Sequence, residues 1–332
     1  MTASGPTERY RAAILTRLGA VLEGETHLRE ILRYHVGMTD VEGAPASAHG
    51  KLLRPSLVLM IAEGLGADVK DALDAAVALE LVHNFSLIHD DIQDRDDVRR
   101  GRPTVWALHG VAEAINAGDL MLTIAMGLGI EAGAPIGAAL ARAVDRMIEG
   151  QSLDLQFESR MTTTDEYIGM VDRKTGALLS CAFELGGLTV GAPSDVIERL
   201  TALGRSIGRA FQIQDDLLGI WGDGDVVGKP QGSDIRRRKK SFPIAAAFAQ
   251  SVGEEKARLE AVYASDAAHG LDDEDVAWVI GLLDRLDVRS MGKEAVLKHH
   301  GEALAAIEDL PIDSGTAKEM RALIERLAGR VK

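Results

Sequence analysis

The chain is organised around one stretch, which reads His83-Asn84-Phe85-Ser86-Leu87-Ile88-His89-Asp90-Asp91-Ile92-Gln93-Asp94. It closes a largely apolar helical run with a cluster of carboxylates. At about 100° per residue, Asp90 and Asp94 lie one turn apart on one helix face, and His83 lies about 20° from Asp90 on the same stripe. Two unpaired carboxylates at this spacing repel each other, whereas a divalent cation would bind both. The stretch predicts either a metal site or a solvated acidic helix end.

A second aspartate pair favours the metal interpretation. Asp215 and Asp216 follow another largely apolar helical stretch far along the chain. Helical bundles build interior metal sites from long helices that carry facing carboxylates. A basic run at 236–240, inside an acidic protein, further predicts an anionic ligand nearby.

Composition and periodicity predict an all-α fold. The 332 residues are 46% hydrophobic but only 4% aromatic, which favours helix over strand and suffices for a sizeable core. Helical periodicity recurs almost throughout, beginning with a helix from Thr7 to about Arg33, and no hairpin signal stands out. Because no low-complexity linker interrupts the chain, we expect one all-α domain over residues 1–332.

Charge and apolar runs exclude several classes of protein. The net charge of −14 argues against nucleic-acid binding. The longest mostly apolar run, Leu120 to Ile130, is shorter than the roughly 20 residues that span a bilayer, so we expect no stable membrane insertion. The N-terminus has no signal-peptide pattern, and the lone Cys181 suits a reducing compartment. These features predict a cytoplasmic protein.

Seven spaced motifs connect these features. They are GKLLRP at 50–55, HDDIQD-x4-RRGRPT from 89, GQSLDL at 150–155, KT at 174–175, FQIQDD from 211, GK at 228–229 and a basic run ending in KKSFP at 239–243. In this order they resemble the trans-isoprenyl diphosphate synthases, the polyprenyl synthetase family, over roughly residues 50 to 243. The resemblance implies an isoprenoid synthase helical bundle around a central cavity, usually as a homodimer. It also implies that the two aspartate motifs face each other across three Mg²⁺ ions, with Mn²⁺ as an alternative ion.

The resemblance assigns roles to particular residues. The residues expected to hold the metals are Asp90, Asp94 and Asp215, while Asp91 and Asp216 hold metal-bound waters or basic side chains. The catalytic set implied by the family is Asp90, Asp91, Asp94, Lys174, Asp215 and Lys229. The allylic diphosphate is expected to bind Arg99, Lys174, Thr175, Gln212, Lys229 and Lys239. Isopentenyl diphosphate is expected to bind Gly50, Lys51, Arg54, His83 and Arg100.

The implied reaction condenses isopentenyl diphosphate with dimethylallyl, geranyl or farnesyl diphosphate to give a short all-trans prenyl diphosphate. Product length should depend on the side chains one turn below the first aspartates, which are Phe85 and Ser86. Bulky Phe85 is either the floor of the cavity or ordinary core filler, and small Ser86 leaves room. In the family, an aromatic residue five positions before the motif suggests geranylgeranyl diphosphate as the product, with farnesyl diphosphate as the alternative.

Two departures from the family pattern bear on this interpretation. Gly219 stands where the second motif usually has its last aspartate, which puts metal affinity on that side in question, and Asp223 is a candidate substitute. Arg238 stands where a glycine is common before the lysine, which questions the shape of that loop.

Two other functions compete with prenyl transfer. A class I terpene cyclase would share the ionisation step, but GKLLRP, Arg100 and the scarcity of aromatic residues argue against it. A non-catalytic partner subunit would explain Gly219, yet such a subunit would not be expected to retain both cationic clusters.

Overall fold

Helices predominate in a computed structural model of the protein, which describes residues 7–222, 232–264 and 270–328. The helices of the first half are α1 (Arg11–Val21), α2 (His27–His35), α3 (Leu53–Gly64), α4 (Val69–Gln93), α5 (Val105–Ala132), α6 (Ala134–Phe157), α7 (Thr164–Lys174) and α8 (Gly176–Thr189). Those that follow are α9 (Ser194–Trp221), α10 (Ser233–Arg236), α11 (Phe242–Gln250), α12 (Gly253–Ala264), α13 (Asp273–Arg285), α14 (Val288–Glu308) and α15 (Ser314–Ala328). A 3₁₀ turn, Glu8–Tyr10, precedes α1. The all-α prediction is confirmed.

The prediction of one long N-terminal helix to Arg33 is wrong, because the chain forms two helices there. Gly24 adopts φ +146°, which a side chain rarely tolerates, and so interrupts the helical backbone. A new N-cap follows at Thr26, whose side chain accepts a hydrogen bond from the backbone N–H of Arg29.

A short hairpin that the sequence analysis missed joins α4 to α5. Its strands, β1 (Val98–Arg99) and β2 (Arg102–Pro103), pair antiparallel with Arg99 opposite Arg102. The two turn residues both have positive φ, +54° at Arg100 and +73° at Gly101, as a type I′ turn requires. The hairpin escaped detection because an arginine takes the position that asparagine or glycine usually fills.

The chain groups into two compact units, and four of the five boundaries between them fall inside helices. Unit 1 comprises Met1–Val144, Cys181–Thr201 and Leu310–Glu319, and unit 2 comprises Asp145–Ser180, Ala202–Asp309 and Met320–Lys332. The expectation of a single domain over 1–332 stays a prediction.

Helix α4 lies at the centre of unit 1. It packs against α1, α3 and α5. Its buried residues surround the whole helix from Ala72 to Ile88, as expected of a helix enclosed by others rather than lying on a surface. Gly118 of α5 permits a close approach, because a Cβ there would overlap the imidazole of His89 on α4. The polar end of α4 therefore emerges from a packed core.

Unit 2 is built around its own apolar cluster. Helix α11, which is rich in alanine, packs against α7, α13 and α14. The cluster also includes Ile213, Leu217 and Ile220 of α9, on the side of that helix adjoining the second aspartate pair. The periodic apolar face of α9 thus fixes the position of its polar residues.

Among the described residues, one helix is long and apolar enough to cross a membrane by length and composition alone. This is α5, whose best window has a mean hydropathy of 1.3 and is 33% buried. A single such helix is weak evidence for a span, since helices of soluble proteins pass the same test. It is kinked at Gly110, where φ is +82°.

Candidate active site

The end of α4 presents the first aspartate motif. Asp90 is half-buried, and Asp94, at the C-cap, is exposed. The next residue, Arg95, turns into the left-handed region at φ +55°, and the backbone N–H of Asp96 donates to the carbonyl of Asp91 at 3.0 Å. This is a Schellman ending, which turns the chain away directly after the motif.

Asp91, between them in the motif, is buried and forms an ion pair with an arginine. Its side chain is 1% exposed, and Arg99 Nε of β1 donates to its Oδ1 at 2.6 Å. Burial raises the pKa of the Asp91 carboxyl to about 6, and the Arg99 guanidinium opposes the rise. The motif thus contains two accessible carboxylates and one that anchors an arginine.

The hairpin also carries Arg100 to the GKLLRP segment. The Arg100 guanidinium lies against Gly50, where a Cβ would be only 2.7 Å from Nη2. A side chain at position 50 would therefore displace the Arg100 guanidinium from this close approach. Arg11 Nη1 donates to the carbonyl of Gly50 at 3.3 Å, and the adjacent Lys51 is exposed.

Arg54 and His83 meet beside this pair. Arg54 Nη1 lies 3.2 Å from His83 Nε2. Burial, followed by Arg54 and Arg100, lowers the pKa of the His83 imidazole well below its usual value, so the imidazole is neutral and can accept a hydrogen bond. The structure brings together four of the five residues predicted for isopentenyl diphosphate, and the fifth, Lys51, is adjacent in sequence.

The side chains below the motif lie as the helix geometry predicts. Phe85 is 5% exposed and packs edge-on against His89, with ring centroids 5.0 Å apart. Ser86 Oγ donates back to the carbonyl of His83 at 2.8 Å. Whether Phe85 acts as a floor or as core filler stays a prediction.

The second aspartate motif, in unit 2, also combines an accessible aspartate with a buried one. Asp215 is exposed and Asp216 is completely buried. Two oxygens of Asp216 accept hydrogen bonds from four donors, which are Tyr167 Oη, the Phe242 backbone N–H at 3.0 Å, Gln212 Nε2 at 3.2 Å and Lys239 Nζ at 2.8 Å. Through these hydrogen bonds Asp216 connects α7 and α9 with the basic run at 236–240.

Lys239 is the cation of this cluster. Burial lowers the pKa of its ammonium group while the Asp216 and Asp234 carboxylates raise it, and the carboxylates prevail. The loop before it has the conformation that a glycine would favour, because Arg238 adopts φ +52°. Arg238, although it stands where a glycine is common, therefore keeps the left-handed backbone conformation that a glycine would adopt there.

The remaining predicted ligands of the allylic diphosphate lie on α7 and α9. Lys174 Nζ donates to Asp154 Oδ2 at 2.5 Å, and Gly150 lets α6 approach the Lys174 backbone, where a Cβ would lie 2.7 Å from Cα. Thr175 Oγ1 donates to Gln212 Oε1 at 2.9 Å. Lys229 and Asp223 lie outside the described residues.

The donor set fits hard cations that arrive with a diphosphate. Within the ranges that the structure describes, no group of three or more His, Cys, Asp or Glu side chains is arranged to hold a metal by itself. Mg²⁺ commonly binds one or two carboxylates and completes its octahedron with phosphate oxygens and water. In unit 1, Asp90 is half-buried and Asp94 is exposed, and in unit 2 Asp215 is exposed, so the predicted metal ligands of each unit are accessible to an ion.

Comparison with known proteins identifies the family. The family model of the polyprenyl synthetases matches residues 40–280. The chain is 40% identical to a (2E,6E)-farnesyl diphosphate synthase of Mycobacterium tuberculosis over 313 residues, 92% of this chain and 87% of that protein. The chain belongs to the polyprenyl synthetase family. The predicted resemblance is therefore confirmed, and this member is an enzyme, a short-chain trans-prenyltransferase.

Other relatives agree on the family but differ in product. A geranylgeranyl diphosphate synthase of Mycobacterium tuberculosis is 41% identical over 250 residues, 72% of this chain and 70% of that one. The crystal structure of a polyprenyl synthetase from Streptomyces coelicolor superposes with a TM-score of 0.88 at 35% identity, covering 96% of this chain and 98% of that one. Relatives named for both products leave the length of the product undecided between farnesyl and geranylgeranyl.

Three residues that contact predicted site residues, or lie near them, were missed by sequence reasoning. Asp154 binds Lys174, and it is the one charged residue of the quoted GQSLDL motif, which is a usable signal. Tyr167 binds Asp216 from another helix and leaves no local signal. Glu80 is buried within α4 and accepts from Asn84 Nδ2 at 3.0 Å. Burial raises the pKa of the Glu80 carboxyl, which the nearby Arg54 and Arg100 oppose.

Proposed function

We propose that this polyprenyl synthetase condenses isopentenyl diphosphate with an allylic diphosphate to make geranylgeranyl diphosphate, with farnesyl diphosphate as the alternative product. The observation that carries the proposal is that the two adjacent aspartates of each motif differ in burial and in binding partners. The second aspartate is buried and binds a cation, Arg99 for Asp91 and Lys239 for Asp216. The first aspartate, Asp90 or Asp215, is more accessible, as a metal ligand must be.

Mg²⁺, held by Asp90, Asp94 and Asp215, would neutralise the charge of the allylic diphosphate and make it a competent leaving group. Arg99, Lys174, Thr175, Gln212, Lys229 and Lys239 are proposed to hold that diphosphate. Guanidinium groups donate bidentately to phosphate oxygens, and lysines add point charges.

The second substrate is proposed to bind at the cluster formed by Gly50, Lys51, Arg54, His83 and Arg100. A dedicated group of cations keeps isopentenyl diphosphate apart from the allylic diphosphate, so that its double bond can attack the allylic carbon. The C–O bond to diphosphate breaks, a C–C bond forms, and a proton leaves to the released diphosphate. No side-chain base is required by this scheme.

The enzyme is further proposed to act as a cytoplasmic homodimer. Helix α5 exposes the large apolar side chains of Leu108, Val111, Ile115 and Ile130, which a second copy of the chain would cover.

The test is incubation of the purified protein with Mg²⁺, isopentenyl diphosphate and dimethylallyl, geranyl or farnesyl diphosphate in turn, followed by chromatography of the products. Elongation to a twenty-carbon product supports the proposal, and a fifteen-carbon product supports the alternative. Cyclisation without isopentenyl diphosphate, or no turnover with any primer, contradicts it. Asp90→Asn should lower kcat by about 100-fold or more, while Asp97→Asn, an exposed control, should not.

A further inference from the structure

The last turn of α7 contains an aspartate that its own helix disfavours. Asp172 lies two residues before the helix ends at Lys174. The carboxyl end of a helix carries a partial negative charge, so a carboxylate is less favourable there than a lysine or an arginine. The Asp172 side chain is only 17% exposed, so solvent screens its charge poorly. A cation from outside α7 is therefore needed to offset it.

Arg209 of α9 is that cation. Its Nε donates to Asp172 Oδ1 and its Nη2 donates to Asp172 Oδ2, both at 2.6 Å. Two parallel hydrogen bonds of this kind fix the relative orientation of the two side chains as well as their distance. The Arg209 side chain is 27% exposed, so this ion pair is partly buried on both sides. The pair therefore fixes α7 relative to α9 at one point.

Two further contacts join the same parts of the chain. A Cβ at Gly208, the neighbour of Arg209, would lie 3.0 Å from Cα of Gly176, so the backbones approach closely there. Three residues after each member of the ion pair, Thr175 Oγ1 donates to Gln212 Oε1 at 2.9 Å. The ion pair and this hydrogen bond are thus successive contacts along one interface between α7 and α9.

This interface orients groups that are predicted to bind the allylic diphosphate. Gln212 Oε1 accepts from Thr175 while its Nε2 donates to Asp216 Oδ1 at 3.2 Å, so both ends of the amide are fixed. Lys174 lies two residues after Asp172 in the same turn of α7. A shift of α7 against α9 would therefore move Lys174 and Thr175 together relative to Gln212.

We propose that Asp172 and Arg209 are a pair of positioning residues for the allylic diphosphate site. By fixing α7 against α9, the pair holds Lys174, Thr175 and Gln212 in the places where one diphosphate can contact all three. The inference rests on the function proposed above for these three residues. Asp172 and Arg209 act as a unit, because the contact between the helices needs both.

A double-mutant cycle tests the pair. Asp172→Asn and Arg209→Gln should each raise KM for the allylic diphosphate about tenfold, because small displacements of binding groups weaken binding. The changes in kcat and in KM for isopentenyl diphosphate should be smaller. The double variant D172N/R209Q should also show a rise of about tenfold, since both single changes remove the same contact. Independent effects would instead multiply to about 100-fold and would contradict the pairing.

Glu255→Gln is the matched control for these variants. Glu255 of α12 accepts from Arg285 Nη2 of α13 at 2.9 Å, so this change also breaks an ion pair between two helices of unit 2. Neither residue is predicted to bind a substrate, and KM should stay within about twofold of the parent. A rise equal to that of Asp172→Asn would mean that the loss of any such ion pair weakens binding, which contradicts a special role for Asp172 and Arg209.

Arg209→Lys protects the test against a variant that fails to fold. Lysine keeps the positive charge but cannot form the planar fork to Asp172. It should therefore raise KM for the allylic diphosphate by about threefold, between the parent and Arg209→Gln. A value equal to that of the parent would show that the fork does not position the site.

A binding measurement separates this inference from the proposed reaction. Calorimetric titration with Mg²⁺ and inorganic pyrophosphate should show about tenfold weaker binding to Asp172→Asn and to Arg209→Gln than to the parent or to Glu255→Gln. This result would stand even if the parent elongated none of the primers, which would overturn the proposed reaction alone. Equal binding of pyrophosphate by Asp172→Asn and the parent would overturn the inference, and so would a parent that binds no pyrophosphate.

Discussion

At the scale of residues, a non-glycine residue near the predicted site has a left-handed backbone conformation, which strains the backbone. Arg95 ends α4 at φ +55°, in a position that usually holds glycine. We expect Arg95→Gly to raise the free energy of unfolding by about 1 kcal/mol, because a side chain in this region costs about that much. Urea denaturation measures the change. Arg95→Ala keeps a Cβ and should show no gain, so equal stabilities of the two variants would contradict the explanation.

His35 should give the protein a measurable pH dependence. Burial, followed by Arg100, Arg99 and Arg102, lowers the pKa of its imidazole to about 3, whereas an unfolded histidine titrates near 6.5. Below pH 6.5 only the unfolded state binds this proton, so the stability contributed by neutral His35 is present above pH 6.5 and is lost as the pH falls. Between pH 7.5 and 5.5 the loss is about 1.4 kcal/mol.

The check compares His35→Asn with the parent by urea denaturation at both pH values. The variant should lose about 1.4 kcal/mol less than the parent on acidification, whatever its stability at pH 7.5. Parallel losses in the two proteins would mean that His35 takes up its proton in the folded state.

Single residues also show what sequence can and cannot predict. Asp90 and Asp94 could be placed together because helix periodicity relates positions four apart. The contact of Asp234 with Gly219 could not, because a loop and a separate short helix determine it. Asp223 was the sequence's candidate for the missing carboxylate, and it lies outside the described residues.

At the scale of elements, α4 is proposed to determine how deep a growing prenyl chain can extend. Phe85 and Ser86 precede Asp90 by five and four residues, about 7.5 and 6 Å along the helix. We expect Phe85→Ala to lengthen the products and Ser86→Phe to shorten them, as measured by chromatography with each primer. Because Phe85 is buried, its truncation should also cost about 3–5 kcal/mol of stability, so thermal unfolding must accompany the assay. Unchanged products in a folded Phe85→Ala enzyme would leave Phe85 as core filler.

The β1–β2 hairpin is the element that positions Arg99 and Arg100. Gly101 has φ +73° and no atom within 4 Å of its Cβ position, so only backbone strain opposes a side chain there. We expect Gly101→Val to disturb the turn and to raise KM for both substrates by about tenfold or less, although it removes no charged group.

Gly191→Val is the control for the hairpin experiment. Gly191 is also left-handed, at φ +64°, and also has open space, but it lies outside the hairpin. Steady-state kinetics on both variants should separate hairpin distortion from general strain. Equal effects of the two substitutions on KM would contradict a special role for the hairpin.

Predictions of secondary structure succeeded where an apolar pattern repeated over many turns, and they failed at turns of the chain. Helices α4 and α9 extend over 25 and 28 residues, so apolar residues recur over many turns and periodicity identifies both stretches as helical. The break at Gly24 and the type I′ turn at Arg100-Gly101 were missed, because each depends on the φ angle of one or two residues. The arginines of the site were therefore found from motifs, while the hairpin that positions Arg99 and Arg100 was not.

At the scale of the whole molecule, the apolar face of α5 must be explained. Val111, Ile115 and Ile130 are 47%, 43% and 63% exposed, and the helix is apolar enough to resemble a membrane span. Asp119, which lies in the same helix and is 67% exposed, argues against that explanation, since a carboxylate in hydrocarbon is costly. A second copy of the chain can bury these apolar side chains without placing the Asp119 carboxylate in hydrocarbon.

We therefore expect a homodimer that forms through α5. Light scattering after gel filtration should give twice the 35.5 kDa mass of the chain. Ile115→Glu should shift it toward the monomer, because an unpaired charge would be buried at the interface. Val252→Glu, at a 76% exposed apolar residue outside α5, is the matched control and should leave the dimer intact. A dimer that withstands Ile115→Glu would assign the interface to another surface, and co-sedimentation of the parent with lipid vesicles would restore the membrane explanation for α5.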